Sequence, residues 1–127
     1  MTEDRKKFLP LNFSVAVVSD TRSEATDKSG IVLEKKIIES GHYLFRKTFV
    51  KDDVEELKNF FSKNAEEKKV DVIISTGGTG LTGRDSTPEV LKEILEKEIP
   101  GFGELFRMIS YQKIGTSAIQ SRALGGI

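Results

Sequence analysis

Three apolar stretches, alternating with segments of helical spacing, constrain this chain more than any other feature. Residues 13–18 (FSVAVV), 43–50 (YLFRKTFV) and 70–75 (VDVIIS) are short, rich in β-branched and aromatic residues, and flanked by polar loops. That pattern predicts strands, the first of them buried on both faces. Between the first two, IVLEKKIIES predicts a helix that places Val32, Leu33, Lys36 and Ile37 around it, with an apolar stripe at Ile31, Val32, Ile38 and their neighbours, stopped by Gly41. Between the second and third, Val54, Leu57, Phe60, Phe61 and Ala65 mark a buried helical face. Asp52 or Asp53 is its N-cap, with Glu55 or Glu56 three residues on completing a capping box. Parallel strands need crossovers of about a dozen residues or more, usually helical and right-handed. The chain is therefore predicted to be one α/β domain, a three-layer α/β/α sandwich with a mainly parallel sheet.

The remaining third continues this logic. Thr87 and Pro88 read as N-cap and first helical residue, followed by Val90, Leu91, Ile94 and Leu95 as an apolar stripe. GFGELFRMISYQ (101–112) predicts another helix. TSAIQSRAL (116–124) predicts a short one with Ala118, Ile119, Ala123 and Leu124 as apolar positions. Gly125-Gly126-Ile127 then reads as a C-cap leading into a strand.

Composition removes several function classes. There are no cysteines, which excludes disulfides, thiolate catalysis and cysteine-ligated metals. Twenty basic and twenty acidic residues balance, against the basic face of a nucleic-acid binder. The longest apolar run, Val15–Val18, is far short of the roughly 20 residues of a membrane span. The first residues are charged (Glu3, Asp4, Arg5, Lys6, Lys7) with no long apolar region behind them, so they are not expected to act as a signal peptide. A cytoplasmic location, without nucleic-acid or membrane partners, is expected.

Parallel sheets bind ligands outside the carboxyl ends of their strands. Each predicted strand delivers an acidic loop there: Ser19-Asp20 after the first, Asp52-Asp53 after the second, and STGGTGLTGRDSTPE, carrying Asp85, after the third. Two phosphate motifs nearly fit the glycine loop, and both fail. Gly78, Gly80 and Gly83 match G-x-G-x-x-G, but a dinucleotide fold uses its first strand, with an acidic residue at the end of the next. In the Walker pattern, Arg84 stands in place of lysine and Asp85 in place of the hydroxyl residue. What survives is physical. Gly77, Gly78 and Gly80 expose backbone N–H groups to an anion, and an aspartate beside a phosphate suggests a bridging Mg²⁺. Asp52 is a candidate second carboxylate, and such a pair would handle a nucleoside triphosphate.

Plainer readings compete at each position. Asp52 can serve simply as a helix cap, Asp20 can close an Asx-turn, and Arg84 is either a partner of its own loop's ligand or a surface arginine. His42 reads as structural, and Phe60 and Phe61 as core.

Five segments, VVSDTR, DKSG, ISTGGTGLTGRDSTPE, PGFGELFR and TSAIQSRALGG, occur in an order and spacing that resembles the molybdopterin adenylyltransferases and the similar biosynthesis protein B of the molybdenum-cofactor pathway. The resemblance runs from about residue 13 to the last residue, and the GGTG…RD…TPE block is its most specific part. It implies a domain that binds molybdopterin and ATP, and transfers AMP from Mg-ATP to the pterin's terminal phosphate with release of pyrophosphate. The family's two catalytic aspartates match Asp52 and Asp85, which the resemblance makes Mg²⁺ ligands. Gly77, Gly78, Thr79 and Gly80 match its glycine loop, Asp20 its Ser-Asp pair, and Arg84 lies within the same block. Lys51 replaces the usual proline before Asp52. The chain's only prolines are Pro10, Pro88 and Pro100, so residues 1–127 are expected to form a single molybdopterin-binding domain without the family's C-terminal strand and Pro-Gly-x-Pro loop. The resemblance also implies a homotrimer or hexamer. Two alternatives stand beside it: a non-catalytic molybdopterin-binding member, and a nucleotide pyrophosphate hydrolase of the competence-damage type.

Overall fold

A computed structural model describes residues 7–19, 27–78, 81 and 85–127. In chain order the elements are β1 (Asn12–Val18), α1 (Ser29–Glu39), β2 (Tyr43–Val50), α2 (Val54–Glu66), β3 (Val72–Thr76), α3 (Thr87–Ile94) and α4 (Pro100–Ile114), followed by a 3-10 segment (Gly115–Gln120). The strands form a parallel sheet in the order β2-β1-β3. The alternation of helices and parallel strands expected from the sequence is present, and the fold is that of a three-layer α/β/α sandwich.

β1 is the central strand and is covered on both faces, as its unbroken apolar run requires. Side chains alternate across a strand. Ala16 and Val18 point into the larger core, with Val50, Leu57, Phe60, Phe61 and Val90. Val17 faces α1, where its Cγ2 would lie 2.7 Å from a Cβ on Gly30. The buried polar side chain of β1, Ser14, donates to Asn64 Oδ1 at 2.6 Å. Asn64 also accepts from Arg46 at 2.9 Å and donates to the Phe60 carbonyl at 2.8 Å, so this buried amide is satisfied.

α1 ends as expected. Gly41 has φ +88°, its N–H reaches the Ile38 carbonyl at 3.0 Å, and the His42 N–H reaches that of Ile37 at 3.1 Å. This is a Schellman motif. His42 is structural: its Nδ1 accepts from the Leu11 N–H at 3.0 Å, and its ring lies 5.0 Å from those of both Phe8 and Phe13.

Several expectations require correction. The packed positions of α1 are Gly30 and Ile37, while Ile31, Val32 and Ile38 are 50%, 53% and 57% exposed. Gly30 lies directly against Val17 and sets the helix rotation. Ile37, seven residues on, follows it to the same side, and Ile31 and Ile38 turn about 100° away. In α2, Val54 and Ala65 are exposed, and Asn64 takes the buried place expected for Ala65. β3 starts two residues later than expected, at Val72, although the Asp71 N–H already reaches the Asn12 carbonyl of β1 at 2.9 Å. Ser86, not Thr87, occupies the N-cap position of α3. The final helix is shortened to the 3-10 segment, with Ala118 buried and Ile119 83% exposed. Beyond it, Gly126 forms an antiparallel bridge with Glu98.

Among the described residues, no helix is long and apolar enough to cross a membrane.

Candidate functional site at the carboxyl end of the sheet

Asp52 and Asp53 are adjacent but point to different tasks. Asp53 is the N-cap of α2: its backbone is extended and Oδ2 accepts from the Glu56 N–H at 3.2 Å. Asp52, half-buried, turns the other way. Its Oδ1 accepts from the Ser86 N–H at 3.1 Å, 34 residues along the chain. β2 and β3 are not neighbours in the sheet, so this contact crosses the carboxyl end of β1. It brings the Asp52 loop to the segment that carries Asp85.

The glycine turn closes over the same strand end. Gly77 and Gly78 have φ of +96° and +71°, in the left-handed region that glycine adopts without strain. A Cβ on Gly77 would lie 2.2 Å from the Val18 carbonyl oxygen, and one on Gly78 would lie 2.4 Å from Thr87 Oγ1. No side chain fits at either position. The turn is locked to α3 by the Thr87 N–H, which donates to the Gly78 carbonyl at 3.2 Å. Thr87 Oγ1 is buried and has no hydrogen-bond partner among the described residues.

Asp85 is held through its backbone. Its carbonyl accepts from Arg122 Nη2 at 2.7 Å, and Nη1 of the same guanidinium pairs with the Glu89 carboxylate in the first turn of α3. That hydrogen bond keeps the Glu89 carboxyl below its ordinary range. Neither Arg122 nor Glu89 was singled out as a site residue by the sequence. Arg122 lies within TSAIQSRALGG, but only its spatial partners give it a task.

Asp27 was also missed. Its side chain is fully buried beneath the start of α1, accepts from the Gly30 N–H at 2.7 Å and pairs with Lys47 at 2.9 Å. The charge is therefore compensated from both the helix and β2. A cleft between α1 and β2, lined by Ile31, Glu34, Lys47 and Phe49, holds none of the residues expected at the site.

Of the expected residues, Asp52, Gly77, Gly78 and Asp85 thus meet at one edge. Asp20, Thr79, Gly80 and Arg84 lie outside the described residues. Among the described residues, no group of three or more acidic, histidine or cysteine side chains gathers. The Asp52 carboxylate meets the peptide that joins Asp85 to Ser86, beside the Gly77-Gly78 turn. Mg²⁺ usually takes one or two protein carboxylates and fills its remaining positions with water and substrate phosphates, so this donor set fits that ion.

These features define a class: a parallel α/β domain that gathers an acidic loop and a glycine turn where its strands end. Residues 14–127 match the family described as "Probable molybdopterin binding domain". The molybdenum cofactor biosynthesis protein B of Bacillus cereus is 46% identical over 97% of this chain and 75% of its own. A probable molybdopterin adenylyltransferase of Methanocaldococcus jannaschii is 39% identical over 96% of this chain and 76% of its own. A crystal structure of a molybdenum cofactor biosynthesis protein B superposes with a TM-score of 0.90 at 45% identity, covering 96% of this chain and 76% of that one. The chain belongs to this molybdopterin-binding family, within the molybdenum cofactor biosynthesis protein B group.

Proposed function

We propose that this chain binds molybdopterin and catalyses transfer of AMP from ATP to its terminal phosphate. The observation that carries the reading is the hydrogen bond from the Ser86 N–H to Asp52, which gathers the acidic loops of two non-adjacent strands beside the Gly77-Gly78 turn. The adenylyltransferase name of the Methanocaldococcus relative supports the reaction class.

In the reaction, an oxygen of the pterin's terminal phosphate forms a bond to the α-phosphorus of ATP. The bond from that phosphorus to the bridging oxygen breaks, and pyrophosphate leaves. The protein need form no covalent intermediate, because phosphoryl-type transfer rests mostly on positioning and charge stabilisation. The glycine turn offers close backbone approach to a phosphate, with N–H donors preorganised by its fixed φ. Thr79, Gly80, Asp20 and Arg84 are assigned to substrate binding in this proposal by their positions in the family's motifs alone. Asp52 and Asp85 would hold Mg²⁺. When bound, the ion neutralises charge on the phosphate oxygens that the two carboxylates would otherwise repel. The functional unit is a homo-oligomer in this reading.

The deciding experiment follows ATP consumption with and without molybdopterin. Release of pyrophosphate only in the presence of the pterin is expected. Hydrolysis of ATP without it, or pterin binding with no release, would overturn the assignment.

A further inference from the structure

We propose that Arg122 is a positioning residue that sets both aspartates of the site through a single peptide group. The inference rests on the functional reading above for its catalytic meaning, but its geometry stands separately. The carbonyl that Arg122 grips belongs to Asp85, and the N–H that Asp52 accepts belongs to Ser86. These are the two ends of one peptide unit. In a trans peptide they point in opposite directions. The guanidinium therefore pulls on one edge of the plane and the Asp52 carboxylate on the other, at 2.7 Å and 3.1 Å.

Two consequences follow. The plane's rotation fixes the Cα of Asp85, and so the direction in which its carboxylate leaves the backbone. Hydrogen bonds in series also polarise one another. A cation on the carbonyl makes the Ser86 N–H a better donor, and so tightens its hold on Asp52. Removing Arg122 should loosen both aspartates, although it is printed by the sequence in a different segment from either.

An arginine suits this place better than a lysine would. Its planar fork reaches the Asp85 carbonyl with Nη2 and the Glu89 carboxylate with Nη1 at once. Glu89 sits in the first turn of α3, so the fork is braced by the helix that the peptide leads into.

The plain alternative is that Arg122 only fastens the last residues to the domain. That segment is fastened without it. Arg107 Nη1 donates to the carbonyls of Ser121 at 3.2 Å and Ala123 at 2.9 Å. The Ile99 N–H reaches the Gly125 carbonyl at 2.8 Å, and the Ile127 N–H reaches that of Lys97 at 2.9 Å.

The test is amide NMR on the full chain, comparing wild type with Arg122→Gln, Arg122→Lys and Arg107→Gln. Losing a charge-assisted bond should make the Ser86 amide exchange about tenfold faster and move its proton signal upfield. Arg122→Lys should recover part of both changes. Arg107→Gln should lower the melting temperature while leaving the Ser86 amide as in wild type. A Ser86 amide unaltered in Arg122→Gln, or altered equally in Arg107→Gln, would overturn the inference. In the pterin-dependent assay, Arg122→Gln should lower kcat about tenfold with KM for ATP changed less than about threefold, the pattern of a misplaced catalytic group. If the wild-type chain transfers no AMP, the functional reading fails, and the amide result alone still decides whether Arg122 governs the peptide.

Discussion

The pair Asp52-Asp53 shows what one residue's environment decides. Both carboxylates precede α2, and either could cap it by sequence alone. The choice is made by Ser86, whose N–H draws Asp52 across the end of β1, and a contact 34 residues away leaves no local signature. The same reason hid Arg122, and the pairing of Asp27 with Lys47 on β2, although the bond of Asp27 to the Gly30 N–H is local. The separation can be measured. Asp53→Ala should lower stability by about 1 kcal/mol, the usual cost of a lost N-cap, and leave transfer unchanged. Asp52→Asn and Asp85→Asn keep the shape of the side chains but remove the charge for Mg²⁺. Each should reduce AMP transfer by at least about tenfold with little change in melting temperature. A large loss of stability in Asp52→Asn would assign that residue to structure instead. The Glu89–Arg122 pair adds a pH signature. The Glu89 carboxyl lies below its ordinary value of 4.5 because Arg122 hydrogen-bonds to its charged form. Its contribution is therefore present above that value and lost as pH falls through the lower folded-state value. Both side chains are substantially exposed, so the effect is small. Glu89→Gln should melt slightly below wild type at neutral pH, and the gap should close as pH falls below 4.5.

At the scale of elements, strand positions were legible because period and composition are local properties. β2 begins and ends where its apolar run does, and β1 and β3 differ from expectation by one or two residues. Helix rotation was less legible. The sequence offers α1 two apolar sides, and the close approach at Gly30 selects the one carrying Ile37. The glycine turn and α3 form a unit that was recognised from its residues, but its tight fit could not be read from them. Gly77→Ala should be severe, because φ +96° is strained for alanine and the new Cβ would meet the Val18 carbonyl oxygen at 2.2 Å. A loss of about 1–3 kcal/mol in chemical denaturation is expected. Thr87 makes the opposite case. Its hydroxyl is buried without a partner among the described residues, so the nearly isosteric Thr87→Val should leave the melting temperature unchanged or raise it. A clear fall would mean that the hydroxyl is engaged in solution.

At the scale of the whole molecule, the outstanding feature is what α4 leaves uncovered. The helix was expected from GFGELFRMISYQ, and Gly103 is its one buried residue. Phe102, Leu105, Phe106, Met108 and Ile109 are each 45–56% exposed, on a helix whose opposite side is held by Arg107 and the segment after it. Contiguous apolar surface of this kind is uncommon on monomers and marks interaction sites. The net charge of the chain is zero, so no long-range repulsion keeps copies apart. Among the described residues, β2 and β3 each pair only with β1, which leaves two further edges open to another chain. The 127-residue chain is therefore expected to associate with itself at tens of micromolar, chiefly through α4. Sedimentation velocity on wild type and on Leu105→Glu/Met108→Glu separates the two routes. Charges placed on α4 should yield a smaller species with an unchanged far-ultraviolet spectrum, because neither side chain is buried within the domain. If the wild type is monomeric at that concentration, the homo-oligomeric reading is wrong for this chain. If the double variant still assembles to the same size, copies meet through the sheet edges instead, and charges introduced on the outer strands become the variants that should dissociate them.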